Sequence, residues 1–401
     1  MINKEEEEEE EEVPLHGELL NTVLSHVPLL HLLSASHVCS GWRRAALSLS
    51  GALSKPWLLL HTRRSGTPAR AYDPSSHEWI HLARAPPPPL PPLARAYARP
   101  ALRSSHSTLL YTLSPSTLSF TDNPIADTWR SIQSPHVWRR DPVVARVGPR
   151  HVVVAGGTCE FEHDPLAVEV YDLTAGRWDA CESMPTAMVG SASATATWLS
   201  VAVPDCDGDV SMMCVMEKRS GRFCSLDAVT MRWEAMMGEV RPEPSISHSV
   251  IGFSGARLVM MGIMGNGESG GGVEGVGVWE LRNYSDCGGR SFECIEIGRM
   301  PDEMVGRVRN WSQSVGLVMG RGLGYVYEEE GSGREVVWFE VGEEGSVGEW
   351  GTVDGCDLVF DDQTLMDGVV LTCATVTLDD LRRAVGFDNQ RFSVITRQES
   401  E

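Results

Sequence analysis

The sequence has no long apolar run and few basic residues. No stretch approaches the roughly 18 consecutive apolar residues that a membrane-spanning helix needs. The chain begins with an acidic run, whereas a signal peptide begins with basic residues followed by an apolar core. We therefore expect no membrane partner and a location in the cytoplasm, the nucleus or both.

Paired cysteine motifs are also missing. The ten cysteines are scattered and form no C-x-x-C pair, a pattern that indicates reduced thiols rather than disulfides or structural zinc. Gly265, Gly267 and Gly270 spell G-x-G-x-x-G, but neither a following helix nor an acidic ribose ligand accompanies them. We expect no cofactor, no metal site and no catalytic residue.

Basic residues are scarce and concentrated in one segment. Lysine and arginine number 34 against 55 acidic residues, and the net charge is −21. A general nucleic-acid binder needs a basic footprint, so we expect no nucleic-acid partner. Residues 39–150 nevertheless hold fifteen basic residues against five acidic ones. This segment forms either one positive face toward an acidic partner or ordinary solvated loop charge.

Three short helices are predicted near the N-terminus, after eight consecutive glutamates at residues 5–12. That run cannot bury apolar surface, so we assign residues 1–13 to a disordered acidic tail. Within residues 14–53, apolar side chains recur at helical spacing on both sides of Pro28. A cluster this small buries little surface by itself, so it is expected either to bind a partner or to pack onto its neighbour.

Beyond residue 56, short apolar runs bounded by Gly, Pro, Ser and Asp predict many short strands. Three copies of one pattern keep the same seven-residue spacing: Tyr72 with Trp79, Tyr171 with Trp178, and Leu226 with Trp233. Weaker copies contain Phe120 with Trp129, Trp279 with Phe292, and Trp338 with Trp350. The final aromatic residues of successive copies lie 50, 49, 55, 59 and 58 residues apart, close to the kelch period of about 50. We therefore predict a mainly β protein, with a six-bladed kelch-type β-propeller over residues 57–376.

Two further features bear on how the predicted propeller is built. The pair Gly156 and Gly157 follows a valine-rich strand and allows φ values or close packing that side chains would block. The first copy begins abruptly at Trp57, so residues 368–376 are predicted to pair with residues 57–61 and close the ring. Residues 377–401 are assigned to a C-terminal tail in which a short helix is possible, and removal of the tail after Phe392 is expected to be tolerated.

Residues 15–49 resemble an F-box, although His16 replaces the usual first proline and Val27 replaces the leucine before Pro28. The matching positions are Leu15, Leu19, Leu20, Val23, Leu24, Pro28, Leu32, Leu33, Val38, Cys39, Trp42 and Arg43. The resemblance implies that these residues dock on a Skp-type linker, which joins the chain to a cullin ligase. An incomplete apolar helix cluster suits such an interface, since a partner can complete it. The alternative is that the helices form a cap folded onto the propeller.

The rest of the chain is similar to plant kelch-repeat F-box proteins. The pattern is nearest to the members that direct chalcone synthase or phenylalanine ammonia-lyase to degradation, so the resemblance implies one of these enzymes as a target. The leading hypothesis is a non-catalytic adaptor with two binding faces. A kelch scaffold unrelated to ubiquitin is the second hypothesis, and a propeller enzyme with an axial metal is the third.

Overall fold

The computed structural model describes residues 17–49, 55–63, 69–82, 101–104, 107–123, 125, 128–158, 164–190, 197–201, 212–234, 237–255, 257–265, 272–286, 289–311, 315–329, 334–385 and 392–395. The glutamate run, Leu15, Gly267 and Gly270 lie outside these residues.

The described chain consists of three N-terminal helices followed mainly by strands. The helices are α1 (Gly17–Ser25), α2 (Leu29–Ala35) and α3 (Ser40–Leu49). The first strands are β1 (Pro56–Thr62), β2 (Ala69–Asp73), β3 (Glu78–Leu82), β4 (Leu110–Leu113), β5 (Thr117–Thr121), β6 (Arg130–Gln133), β7 (Val143–Val147), β8 (His151–Ala155), β9 (Val168–Asp172), β10 (Arg177–Cys181), β11 (Thr197–Val201), β12 (Met212–Glu217), β13 (Arg222–Asp227) and β14 (Met237–Glu239). The remaining elements are β15 (Ile246–Ser254), β16 (Arg257–Met264), β17 (Gly275–Asp286), β18 (Gly289–Arg299), α4 (Asp302–Val308), β19 (Val315–Gly320), β20 (Leu323–Glu328), β21 (Val336–Val341), β22 (Val347–Thr352), α5 (Cys356–Val359), α6 (Asp362–Asp367), β23 (Val369–Thr375), α7 (Leu378–Val385) and β24 (Phe392–Val394).

Five complete antiparallel sheets form the blades of a propeller. Their strand orders are β23-β1-β2-β3-β24, β10-β9-β8-β7, β11-β12-β13-β14, β15-β16-β17-β18 and β19-β20-β21-β22. Strands β7, β11, β15, β19 and β23 lie at the inner edges, where each packs against the next in this order. The mainly β propeller architecture is therefore confirmed.

The prediction of six blades is wrong, because the remaining sheet is incomplete. Strands β4, β5 and β6 form only three strands, and the inner strand is reduced within the described residues to one bridge between Arg103 and Tyr111. The chain after this bridge bonds to other sheets instead. The Ser107 carbonyl accepts a hydrogen bond of 2.7 Å from the Cys373 N–H on β23, and the Ser107 hydroxyl accepts one of 3.0 Å from the Met319 N–H on β19.

The predicted closure of the ring by the end of the chain is confirmed. Strand β23 pairs with β1 along seven consecutive residues, from Pro56 opposite Thr375 to Thr62 opposite Val369.

Part of the predicted C-terminal tail is also structured. Strand β24 pairs with β3, and the Ile395 N–H donates to the Trp79 carbonyl at 2.7 Å. A cut after Phe392 would therefore remove paired residues, so we expect it to lower stability while the propeller still folds.

The three strong copies of the repeat share a bond that explains their tryptophans. Each indole N–H donates to a backbone carbonyl at the end of the preceding sheet in the ring. The bonds run from Trp79 to Asp354 at 2.7 Å, from Trp178 to Gln133 at 3.0 Å and from Trp233 to Glu182 at 2.9 Å. Trp79 and Trp178 also pack on Tyr72 and Tyr171, with ring centroids 5.4 and 5.1 Å apart. The repeated tryptophan therefore fastens neighbouring sheets to each other as well as filling its own sheet.

The weaker copies depart from this arrangement. Trp350 packs on Phe339 at 5.1 Å rather than on Trp338, and Phe292 packs on Phe223 at 5.2 Å and lies opposite Asn283 rather than Trp279. Trp129 precedes β6 and packs among Leu102, Leu110 and Val370. Spacing alone located these aromatic residues but not their partners.

We expect Trp178→Phe to lower the free energy of unfolding by about 1 kcal/mol, because the Gln133 carbonyl loses its donor while the aromatic ring is retained. Denaturant unfolding measures this change. Trp138→Phe is the matched control, because Trp138 is exposed and its indole makes no such bond to the residues that the structure describes. Equal unfolding free energies of the two variants would show that the indole bond contributes nothing.

The glycine pair behaves as its sequence position predicts. Gly156 and Gly157 have φ values of +62° and +68°, a left-handed conformation that favours glycine. A Cβ atom on Gly157 would lie 2.3 Å from the backbone of Asp141. The turn after β8 therefore needs glycine both for its conformation and for its contact with the segment before β7.

The N-terminal helices and the first sheet share one hydrophobic core. Leu24, Leu32 and Ala46 are at most 1% exposed, and the helices pack with strand residues such as Leu59 and Ile80. Leu378 and Leu381 of α7 complete this cluster. The opposite face of the same sheet packs on the β19–β22 sheet. The helices and α7 therefore cover most of the face that would otherwise meet the incomplete three-stranded sheet, whose share of the cluster is Ile125.

Candidate interaction surfaces

One side of the helical unit, residues 17–49, exposes apolar side chains. Leu19 and Val23 lie four residues apart on α1 and are 63% and 42% exposed, and Val38 before α3 is 63% exposed. Cys39 beside Val38 is also exposed. Residues four apart share one helix face, so α1 presents a continuous apolar strip. Such a strip on a folded protein is typical of a site that a partner covers.

Other apolar side chains of the helical unit are buried. Leu20, Leu24, Leu32 and Leu33 are at most 7% exposed and belong to the core that the helices share with the first sheet. These four side chains were also among the predicted linker contacts. The structure separates the two groups, since a side chain buried in this core is not available to a linker.

The remaining predicted linker contacts lie at the border between these two sides. Trp42 is partly buried and packs against the shared core. Pro28 caps the N-terminus of α2, and the Arg43 guanidinium donates to the Ser36 carbonyl at 3.3 Å. The periodic apolar pattern identified the helices, but it could not assign each apolar residue to the partner side or the propeller side.

Asp73 ends β2 and holds the turn that follows. The Ser75 N–H donates to the Asp73 Oδ1 at 2.8 Å, whereas Oδ2 is buried and has no hydrogen-bond partner within the described residues. Burial raises the pKa of the carboxyl group. On the neighbouring strand, the His31 Nε2 of α2 lies 3.9 Å from a Glu78 carboxylate oxygen, a polar contact between the helical unit and the first sheet.

An axial ligand site would lie in the channel between the inner strands. Ser107 bonds to the free edges of β19 and β23, so a residue of the chain itself occupies this space. The described residues contain no group of three metal-ligating side chains. The third hypothesis, an enzyme with an axial metal, gains no support from this arrangement.

Residues 77–81 spell H-E-x-x-H, a metal-binding pattern that the expectation of no metal site wrongly took to be missing. In zinc peptidases this motif lies on a helix, where the two histidines share one face. Here His77 lies in the turn before β3 with a φ of +59°, and His81 lies on the strand. A strand separates residues four apart by about 13 Å, too far for one ion. His77 instead contacts the Tyr72 hydroxyl at 2.9 Å.

No helix of the described chain is long and apolar enough to cross a membrane.

Comparisons with known proteins agree with the arrangement of the two parts. The F-box domain family matches residues 15–51. An F-box/kelch-repeat protein of Arabidopsis thaliana is 38% identical over 387 residues, which cover 93% of each chain.

Solved structures resemble the propeller more distantly. Virginiamycin B lyase from Staphylococcus aureus matches with a TM-score of 0.38 and 10% identity, covering 74% of this chain and 88% of its own. A putative 6-phosphogluconolactonase from Bacteroides fragilis matches with a TM-score of 0.39 and 15% identity, covering 75% and 82%. Similarity this low carries no argument about activity.

Proposed function

Because the chain belongs to the plant F-box/kelch-repeat family, we propose that it is the substrate receptor of an SCF-type ubiquitin ligase. F-box domains in general bind Skp-type linkers. In this proposal the helical unit holds the linker, the linker connects it to a cullin scaffold, and the propeller holds the target. The protein acts as a non-catalytic adaptor, in the cytoplasm or the nucleus.

The observation that carries this proposal is the two-sided helical unit. Its buried side chains belong to the core shared with the first sheet, while Leu19, Val23 and Val38 remain exposed. The alternative of a scaffold unrelated to ubiquitin leaves this apolar strip without a partner. A linker that covers it would bury the three side chains and remove the strip from water.

The proposed target is less specific than the sequence resemblance implied. The description of the Arabidopsis relative names no target. Chalcone synthase and phenylalanine ammonia-lyase therefore remain hypotheses that rest on the resemblance alone.

We expect the triple variant Leu19→Asp, Val23→Asp, Val38→Asp to lose linker binding. Each exposed apolar contact at the centre of an interface contributes about 2 kcal/mol, and a carboxylate there adds a desolvation cost, so affinity should fall at least about a hundredfold. The measurement is co-purification of a Skp-type linker, followed by calorimetric titration. Trp42 is unsuitable for this test, because its substitution would also disturb the shared core.

The matched control is Val189→Asp with Val229→Asp, which places aspartate at valines on the propeller that are 55% and 85% exposed. This variant should bind the linker as the unaltered protein does. All variants should show the same circular dichroism and melting temperature. Undiminished linker binding by the triple variant would refute the receptor proposal and favour a scaffold.

A further inference from the structure

One end of the propeller carries a group of cationic side chains, which we call the basic mouth: Arg63, Arg103, Arg140, Lys218 and Arg219. Each lies at the same end of an inner pair of strands. Arg63 follows β1, Lys218 and Arg219 follow β12, and Arg140 precedes β7.

Hydrogen bonds link parts of the basic mouth to neighbouring sheets. The Leu102 N–H donates to the Arg63 carbonyl at 3.0 Å, and the Arg103 guanidinium donates to the Arg140 carbonyl at 2.6 Å. On the other side, the Lys218 carbonyl accepts a hydrogen bond of 2.7 Å from the Ser249 N–H on β15. The residues of the basic mouth are therefore fixed by hydrogen bonds of their backbone carbonyls to several segments, not by one loop.

Three carboxylates near the mouth, those of Asp141, Glu329 and Glu217, are engaged within the protein. Asp141 lies 3.2 Å from Arg103, and both oxygens of Glu329 accept hydrogen bonds from the Lys218 ammonium at 2.8 and 2.6 Å. Glu217 accepts hydrogen bonds from the N–H groups of Arg219 and Ser220 in its own turn.

Three guanidinium groups keep unneutralised charge. Arg63, Arg140 and Arg219 are exposed, and none has an ion pair among the residues that the structure describes. This concentration of positive charge occurs on a chain whose net charge is −21. Positive charge that the protein does not neutralise itself attracts negatively charged partners.

Two buried polar atoms beside Lys218 also lack partners. His248 is 5% exposed and Ser249 is 1% exposed, yet the His248 Nε2 and the Ser249 Oγ have no hydrogen-bond partner within the described chain. Burial and the nearby Lys218 lower the pKa of His248 to about 3, so the imidazole is neutral and adds no positive charge.

The surroundings of the mouth favour a ligand that lies across it. Ser107 bonds to the inner strands β19 and β23, so a residue of the chain itself already occupies part of the channel. His31 of the helical unit lies beside Glu78, which pairs with Asp73 at the end of β2, and Arg63 lies beyond the other end of the β1–β2 pair. The mouth is therefore available while a partner covers Leu19, Val23 and Val38.

We propose that the basic mouth binds an acidic segment of the target protein, with several carboxylates facing Arg63, Arg140 and Arg219. An extended segment of about six residues spans roughly 20 Å, which suits an array of separate guanidinium groups better than one small anion does. This inference rests on the proposed function and adds the chemistry of the target, a segment rich in carboxylates.

The test measures fluorescence anisotropy of a labelled ten-residue glutamate-rich peptide with the purified full chain. The variant Arg63→Glu, Arg140→Glu, Arg219→Glu should bind at least about tenfold more weakly, and added salt should weaken binding to the unaltered protein. Replacing the same three residues by lysine should restore part of the affinity, because the charge remains while the guanidinium geometry is lost.

The matched control is Arg130→Glu, Arg177→Glu, Arg321→Glu, which changes the net charge equally at three exposed arginines away from the mouth. This control should bind the peptide normally, and a glutamine peptide of the same length should not bind. Equal loss in both triple variants, or equal binding of the glutamine peptide, would overturn the proposal.

The chain's own glutamates at residues 5–12 are the competing occupant. A form with these eight residues changed to glutamine should bind the acidic peptide as the unaltered protein does. If only this form binds the peptide, the tail occupies the mouth and the assignment to a target is overturned. Linker co-purification of the mouth variant should stay normal, so failure of this inference is distinguishable from failure of the receptor proposal.

Discussion

Ending the chain after Leu365 is expected to leave no soluble, cooperatively folded protein. The truncation removes β23, which pairs with β1 along its whole length, and exposes a row of unpaired backbone groups on β1. It also removes apolar residues from two cores, since Leu371 and Cys373 pack toward the β19–β22 sheet while Leu378 and Leu381 pack with the helical unit. Burial of one such side chain contributes about 2 kcal/mol, so the loss is comparable to the whole stability of a typical domain.

The measurement is the soluble yield, followed by size-exclusion chromatography and thermal unfolding. A chain ending after Ile395 is the control and should melt as the full protein does. A chain ending at residue 391 should fold with a lower melting temperature, because it loses only β24 and the Ile395 bond to Trp79. A soluble, cooperatively melting protein ending at residue 365 would contradict the role of β23 in closing the ring.

The closure of the ring was predictable from the order of the strands in the repeats. The first copy starts without an inner strand, and an apolar segment remains at the end of the chain. Pairing this segment with β1 supplies the missing inner strand and gives the segment a partner. Nothing comparable marks the sheet of β4–β6. Its aromatic spacing fits the repeat period, but the loss of its inner strand depends on backbone bonds from Ser107 to distant strands, which no local pattern records.

In the helical unit, too, local sequence patterns could not predict which apolar side chains are buried. Helical periodicity places Leu19, Leu20, Val23 and Leu24 together, because all four belong to one broad apolar surface of α1. Only packing in the core shared by the helices and the first sheet separates Leu20 and Leu24, which are buried, from Leu19 and Val23, which are exposed. The sequence analysis set a docking module against a helical cap as alternatives. The F-box match and the shared core show that residues 17–49 have the features of both.

Leu32→Ala is expected to destabilise the propeller together with the helices. Leu32 is completely buried in the core that α2 shares with the first sheet and α7. Removing a buried leucine side chain costs about 2–5 kcal/mol, and here the cavity would lie where helices and strands meet. A single transition shifted to lower temperature is expected by calorimetry, and hydrogen exchange should become faster in β2 and β3 as well as in α2.

Leu19→Ala is the matched control, since Leu19 is 63% exposed and truncation there should change stability by less than about 0.5 kcal/mol.

The shared core also predicts that a chain lacking residues 1–53 will be poorly soluble, because it uncovers Leu59, Ile80 and Leu378. That deletion therefore cannot serve as a receptor that binds its target without linker. The triple aspartate variant at Leu19, Val23 and Val38 can be used instead to study target binding without linker binding, because it leaves the buried side chains of the helices intact. If Leu32→Ala melted the helices in a separate step and left exchange in β2 and β3 unchanged, the two parts would be independent and the deletion would be usable after all.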